Sequence, residues 1–173
     1  GRFVGSIDAD EKSHDYGFTF VNLEAITYGI ATEEHATAIM DWITGKRIVK
    51  SDTSTGDDIY HWRFAPRATT KRNVDWYGQG WYLPETIPWG GQVQDGGAVL
   101  GFSYYDLVAR LNTIGPDDAW KRLCDILTWD KEAMAAVGYR EYYKDGTRGS
   151  LQGGGTAGGL GIDKEFFESS MVP

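Results

Sequence analysis

The chain of 173 residues contains one cysteine and three histidines, and its 17 basic residues are outnumbered by 25 acidic ones. A single thiol, Cys124, excludes an internal disulfide and leaves the redox compartment open. His14, His35 and His61 form no His-x-x-His or His-Glu-x-x-His spacing, so no metal site is expected. The formal net charge of −8 disfavours nucleic acid and anionic membranes as partners, because phosphate binding needs a basic face. No apolar run approaches the ~18 residues of a membrane span, and no basic segment leads into an apolar one as in a secretory leader. A soluble chain is expected, cytoplasmic favoured over periplasmic, with no nucleic-acid or membrane partner. No cofactor is expected either. The run "GGGTAGGLG" from Gly153 to Gly161 lacks the Gly-Lys-Ser/Thr ending of a phosphate cradle, and no strand precedes it.

Aromatic residues, by contrast, reach 14% of the chain. They concentrate around "DWYGQGWYLPETIPWGGQVQDGG", Asp75 to Gly97, which has no apolar period of either kind. Helical patterns flank it. The first, Tyr16 to about Ile30, is apolar on nearly every face, which predicts burial all round. The second spans Glu33 to Ile43, with Thr32 as N-cap, Glu33 and Glu34 in the first turn, a stripe of Ala36, Ile39, Met40 and Ile43, and Gly45 as stop. A third is expected over Ala98 to Asn112, with Leu100, Tyr104, Leu107, Val108 and Leu111 on one side. The fourth starts at Pro116, followed by Asp117 and Asp118, and carries a stripe of Trp120, Leu123, Cys124 and Leu127. That stripe predicts an inert core thiol at Cys124. A fifth helix is expected near Asp163, with Phe166 and Phe167.

Tight connections (Ile30 to Thr32, Thr113 to Pro116) alternate with very long ones (Gly45 to Gly97, Asp130 to Ile162). In a series of antiparallel helices alternate connections lie at the same end, so both long loops are expected on one rim. The fold expected is an all-α single domain over 1–173: an incomplete α/α toroid with long irregular rim loops that leave room for short strands. Six hairpins need at least roughly 200 residues, so this chain supplies about half. Its termini, Gly1-Arg2 and Met171-Val172-Pro173, also suggest a gene fragment. Half a toroid exposes the sides of its buried helices, which predicts homo-oligomers that cover them.

The phrases "HDYGFTFVNLEAITYGIA", "DDIYHWRFAPR", "PWGGQVQDGGAVLGFSYYDLVARL" and "GGGTAGGLGIDKEFFESS" resemble the C-terminal half of bacterial six-hairpin glycosidases, α/α-toroid hydrolases and phosphorylases acting on glycosides. The most specific piece, "QDGG" before an inner helix, is similar to their "QNGG"-type turn, with Asp95 where many relatives carry asparagine. The resemblance implies a glycoside hydrolase of the inverting type. Residue chemistry agrees, because sugars present flat C–H faces and rings of hydroxyls, matched by aromatic platforms and planar bidentate groups. Trp62, Trp81 and Trp89 are the expected platforms. Asp58, His61, Arg63, Gln92 and Gln94 are the expected polar contacts.

Glycoside hydrolysis uses two carboxyl groups. Glu85, after Pro84 in the aromatic loop, is the expected acid. Asp95, beside Gly96-Gly97, is the expected base or hydroxyl ligand, or else an N-cap. Asp57-Asp58 and Glu168 are further carboxylates, read equally as turn and helix surface. Asn22 and Glu24 interrupt the first helix, as hydrogen-bonded structural groups or substrate contacts. Two alternatives stay open. A polysaccharide lyase or epimerase on the same toroid would use His61 as base with Arg63 and Arg67 as a clamp. A non-catalytic fragment would self-associate and at most bind sugar.

Overall fold

The computed structural model describes residues 1–73, 89–90, 93 and 95–143. Its regular structure is mostly helical: α1 (Thr19–Thr27), α2 (Glu33–Ile43), α3 (Phe102–Thr113), α4 (Pro116–Ala135) and α5 (Tyr139–Tyr142). A 3-10 turn spans Gly56–Tyr60, and strands β1 (Ser6–Ile7) and β2 (Ser13–His14) pair antiparallel, Ser6 opposite His14. The expected helix near Asp163 lies outside the described residues, as does Glu168.

α1 and α2 form a tight hairpin. α1 ends in a Schellman motif, in which Gly29 (φ 70°) donates its N–H to the Ile26 carbonyl and Ile30 to that of Ala25. No residue of Thr19–Thr27 is fully exposed, although the helix is shorter than its apolar pattern predicted. Asn22 is fully buried and structural: it accepts from the Phe3 N–H and donates to the carbonyls of Phe3 and Phe18. Glu24 is only half-buried. α2 has the predicted limits, and its Thr32 hydroxyl caps the His35 N–H at 3.3 Å.

The second hairpin joins α3 to α4. α3 packs against α1, α2 and α4, which makes it the central helix. It begins at Phe102 rather than Ala98 and buries Ser103, Asp106, Ala109 and Arg110; of the predicted apolar side, Leu100 is buried and Leu107 packs on the core, while Tyr104 and Leu111 are exposed. The buried polar groups have a partner-based cause. Asp106 Oδ1 accepts from Arg110 Nε at 2.9 Å and from the Tyr60 hydroxyl at 2.9 Å, and Oδ2 accepts from Arg122 Nε at 3.0 Å. α4 correspondingly turns Arg122, Ile126, Trp129 and Ala133 inward. The predicted stripe therefore faces away from the core: Trp120 is 65% exposed, Leu127 44%, and Cys124 is half-buried rather than a core thiol.

α4 also runs past Asp130, where a long loop was expected, because Lys131 to Ala135 are good helix formers and Ala133 has a core to enter. The described parts of the two long connections meet at one end of the helices. Trp62, Phe64, Ala65, Ala98 and Leu100 from the first pack with Ile126, Trp129, Ala133, Tyr142 and Tyr143. A separate core under the first hairpin joins Leu23, Ile26, Ile39, Met40, Trp42, Ile43 and Ile59. Beside it, Arg2 bridges Asp15 (3.1 Å) and the fully buried Asp52 (2.7 Å), with its guanidinium 4.4 Å from the centre of the Trp42 ring.

Candidate functional site

The loop from Gly56 to Asn73 has no apolar period, so its shape is set by side chains that replace a hydrogen-bonded ladder. Arg67 does most of this. Its Nε donates to the Asp58 carbonyl (3.0 Å), Nη2 to the Asp58 carboxylate (3.0 Å) and Nη1 to the Gly96 carbonyl (2.6 Å). The same guanidinium lies 5.9 Å from the Trp62 ring centre and 5.5 Å from that of Trp89. One buried cation thus ties the 3-10 turn to the segment around Gly96, with two indoles beside it. Burial lowers the Arg67 pKa, and the hydrogen bond and charge of Asp58 oppose that fall.

Gly96 marks a close approach. With φ at 82°, it leaves room for the Trp89 ring, whose Cζ2 would lie 2.5 Å from any added Cβ. The glycines of this turn therefore admit a ring of the chain itself. Its N–H donates to the Thr69 hydroxyl at 3.0 Å.

Asp95 is fully buried. Its Oδ1 accepts from the Asn73 N–H at 2.9 Å, and Oδ2 lies 2.9 Å from Arg72 Nε. Because α3 starts only at Phe102, Asp95 is not its N-cap; the carboxylate instead holds the Arg72-Asn73 strand of the loop. Around this pair sit unmet hydrogen-bonding groups. Both side-chain atoms of Asn73, Oδ1 and Nδ2, are buried with no hydrogen-bond partner among the described residues, and so is Trp89 Nε1. Fewer than about one buried polar group in ten goes unpaired, so three in one locality call for a physical explanation.

The other predicted residues divide between core and surface. Trp62 is 2% exposed, with Tyr143 edge-on at 5.8 Å, so it is a core ring and not an open platform. Arg63 reaches away from Asp95 to Glu132 (2.6 Å) and the Tyr142 hydroxyl (3.0 Å). His61 stands 3.7 Å from the Asp58 carboxylate; burial and the Arg67 charge lower its pKa against the opposing Asp58 charge. For Asp58, burial pushes upward, but the Ser54 hydroxyl at 2.6 Å and Arg67 outweigh it and hold the carboxyl below its ordinary value. A carboxylate held ionised accepts hydrogen bonds and does not donate them. Asp57 faces elsewhere, lining a cleft of about 400 Å³ with Tyr60, Arg110 and Arg122. Glu85, Trp81, Gln92 and Gln94 lie outside the described residues.

Sequence reading passed over Arg72 and Asn73. Neither belongs to an apolar pattern or a chemical motif, and only the fold brings them to Asp95, 22 residues from Asn73. Comparison with protein-family models, curated proteins and solved structures finds no match to this chain. Among the described residues no group of His, Cys, Asp or Glu side chains is arranged to hold a metal ion, and no helix is long and apolar enough to cross a membrane. What the arrangement offers chemically is a buried carboxylate–guanidinium pair, an amide with both faces unmet, and an indole N–H. The carboxylate, the amide and the indole N–H are hydrogen-bonding groups held out of bulk solvent.

Proposed function

We propose that this chain belongs to a carbohydrate-active protein of glycoside hydrolase type, built as part of an α/α toroid that self-associates. The observation that carries the carbohydrate reading is the unmet Asn73 amide and Trp89 N–H beside the Asp95–Arg72 pair. A vicinal diol donates and accepts from adjacent atoms, and a sugar ring adds an apolar C–H face for an indole. Asp95 is then the base or the hydroxyl-binding carboxylate, with Glu85 as its acid partner. Trp89 is the platform best supported, while Asp58 and His61 form the outer polar edge.

The toroid reading is supported by α3 packing on α1 across two tight hairpins, with both long connections meeting at one end. On this reading, that end is the loop-rich rim that carries the site. The lyase or epimerase alternative draws less support, since Arg67 and Arg63 already spend their guanidinium groups on protein acceptors. Purified protein offered a panel of aryl glycosides tests the proposal. We expect release of the aryl group, abolished in Asp95→Asn with the fold retained. An unsaturated product absorbing in the ultraviolet from a uronide polymer, with no hydrolysis of the aryl glycosides, would turn the reading to a lyase.

A further inference from the structure

α4 is apolar on two opposite faces. Its inner face buries Arg122, Ile126, Trp129 and Ala133. On the outer face Trp120, Leu127 and Met134 are 65%, 44% and 50% exposed. These three recur every seven residues, so along a straight helix they drift by only about 20° per step and form one continuous row. A neighbouring row, also seven apart, holds Asp117, Cys124 and Lys131, and Leu123 flanks the apolar row on its other side. Single exposed apolar residues are ordinary, whereas a Trp, a Leu and a Met recurring along one side of a helix give that side an apolar character.

We infer that this face pairs with the same face of a second copy, antiparallel, with Cys124 near the two-fold axis. The inference rests on the self-association part of the proposed function and is independent of the carbohydrate reading. Charge selects the occupant and the orientation. Asp117 and Lys131 are exposed, stand symmetrically about Cys124, and have no ion-pair partner among the described residues. An antiparallel copy turned about Cys124 sets Asp117 against the partner's Lys131 at both ends, roughly 21 Å apart along the axis. A parallel copy would set like against like. The same turn brings Trp120 beside the partner's Leu127 on both sides of the axis, as a heptad seam does, with Met134 beyond the paired stretch. An isologous contact of this kind is self-complementary and closes at two chains.

The single cysteine makes the register directly readable. We expect a dimer by sedimentation velocity, cross-linked through Cys124 by mild oxidation or a short bis-maleimide. Asp117→Lys and Lys131→Asp should each weaken association roughly tenfold by placing like charges at both ends. The double exchange Asp117→Lys with Lys131→Asp should restore it, because the pairs re-form with signs reversed. Trp120→Glu should give monomers whose circular dichroism matches the parent. A parent chain that is monomeric at high concentration overturns both this interface and the self-association reading. A dimer that ignores Trp120→Glu, shows no Cys124 cross-link and is not rescued by the double exchange overturns the interface alone. Neither result bears on sugar binding.

Discussion

Replacing Asp106 with alanine should be strongly destabilising, and its cost can be worked from the geometry. The carboxylate is fully buried and accepts from Arg110, Arg122 and Tyr60 at 2.9, 3.0 and 2.9 Å. Three hydrogen bonds to a charged acceptor, at roughly 1.5–3 kcal/mol each, set an upper bound of about 5–9 kcal/mol. Arg110 keeps Asp118 at 2.6 Å, which reduces the loss. Arg122 has no such reserve: its Nη2 already lacks a hydrogen-bond partner, and its side chain is 7% exposed. The expected destabilisation is therefore about 4 kcal/mol, within the range for breaking a buried ion pair and a large share of a typical domain's stability. Urea unfolding followed by far-ultraviolet circular dichroism measures it. Should Asp106→Ala not fold, the triple variant Asp106→Leu, Arg110→Met, Arg122→Met supplies the comparison. It removes every charge together and should stay within about 2 kcal/mol of the parent. A loss below about 1 kcal/mol for Asp106→Ala, or a triple variant as unstable as the single, would refute the reasoning.

Val137 holds the left-handed position at the end of α4 (φ 65°, 89% exposed), so Val137→Gly should stabilise the chain by about 1 kcal/mol: relief of a ~1–2 kcal/mol backbone cost less the extra entropy of glycine. A lower urea midpoint would contradict this. Gly96→Ala should cost about 3 kcal/mol, through its positive φ and the Trp89 clash, and should change the near-ultraviolet circular dichroism of the indole; an unaltered spectrum and midpoint would sink it. Burial pushes the Asp15 carboxyl up, but the Arg2 hydrogen bond and charge, with the Gly17 N–H and Lys71, hold it below 3.8. Its folded value lies beneath the unfolded one, so its stabilisation is complete above the unfolded value and lost as pH falls through the folded one. Asp15→Asn should thus be less stable at neutral pH and show a shallower loss of stability below pH 3.8, read from urea midpoints across acid pH; a slope equal to the parent's would count against the Arg2 clamp.

Local signals were the legible ones. Thr32 before Glu33-Glu34, and Pro116 before Asp117-Asp118, fix where two helices begin because capping and first-turn chemistry act within a few residues. The inward face of α2 was equally legible, since only one side of it is apolar. α4 misled because both its faces carry apolar residues, and what decides between them is Arg122 reaching Asp106 from another helix. α3 misled for the same reason, its central position satisfied by ion pairs rather than by Tyr104 and Leu111. The β1–β2 hairpin was missed because two-residue strands carry no period. Its turn is set by Asp8, whose carboxylate accepts from the N–H groups of Asp10 and Lys12 and meets His14 at 2.9 Å. In the candidate site, "QDGG" drew attention to Asp95, but as the start of a helix that in fact begins at Phe102. Arg72 and Asn73 were not legible, because their role exists only once the loop has folded back.

Saturation-transfer difference NMR with neutral mono- and oligosaccharides, on the parent chain and on Asn73→Ala and Asp95→Asn, tests the central claim most directly. Carbohydrate recognition at the Asp95–Asn73–Trp89 locality predicts transfer from the protein to sugar ring protons in the parent, and its loss in both variants while their circular dichroism is unchanged. No transfer to any sugar in the folded parent, or transfer that persists undiminished in both variants, would contradict it.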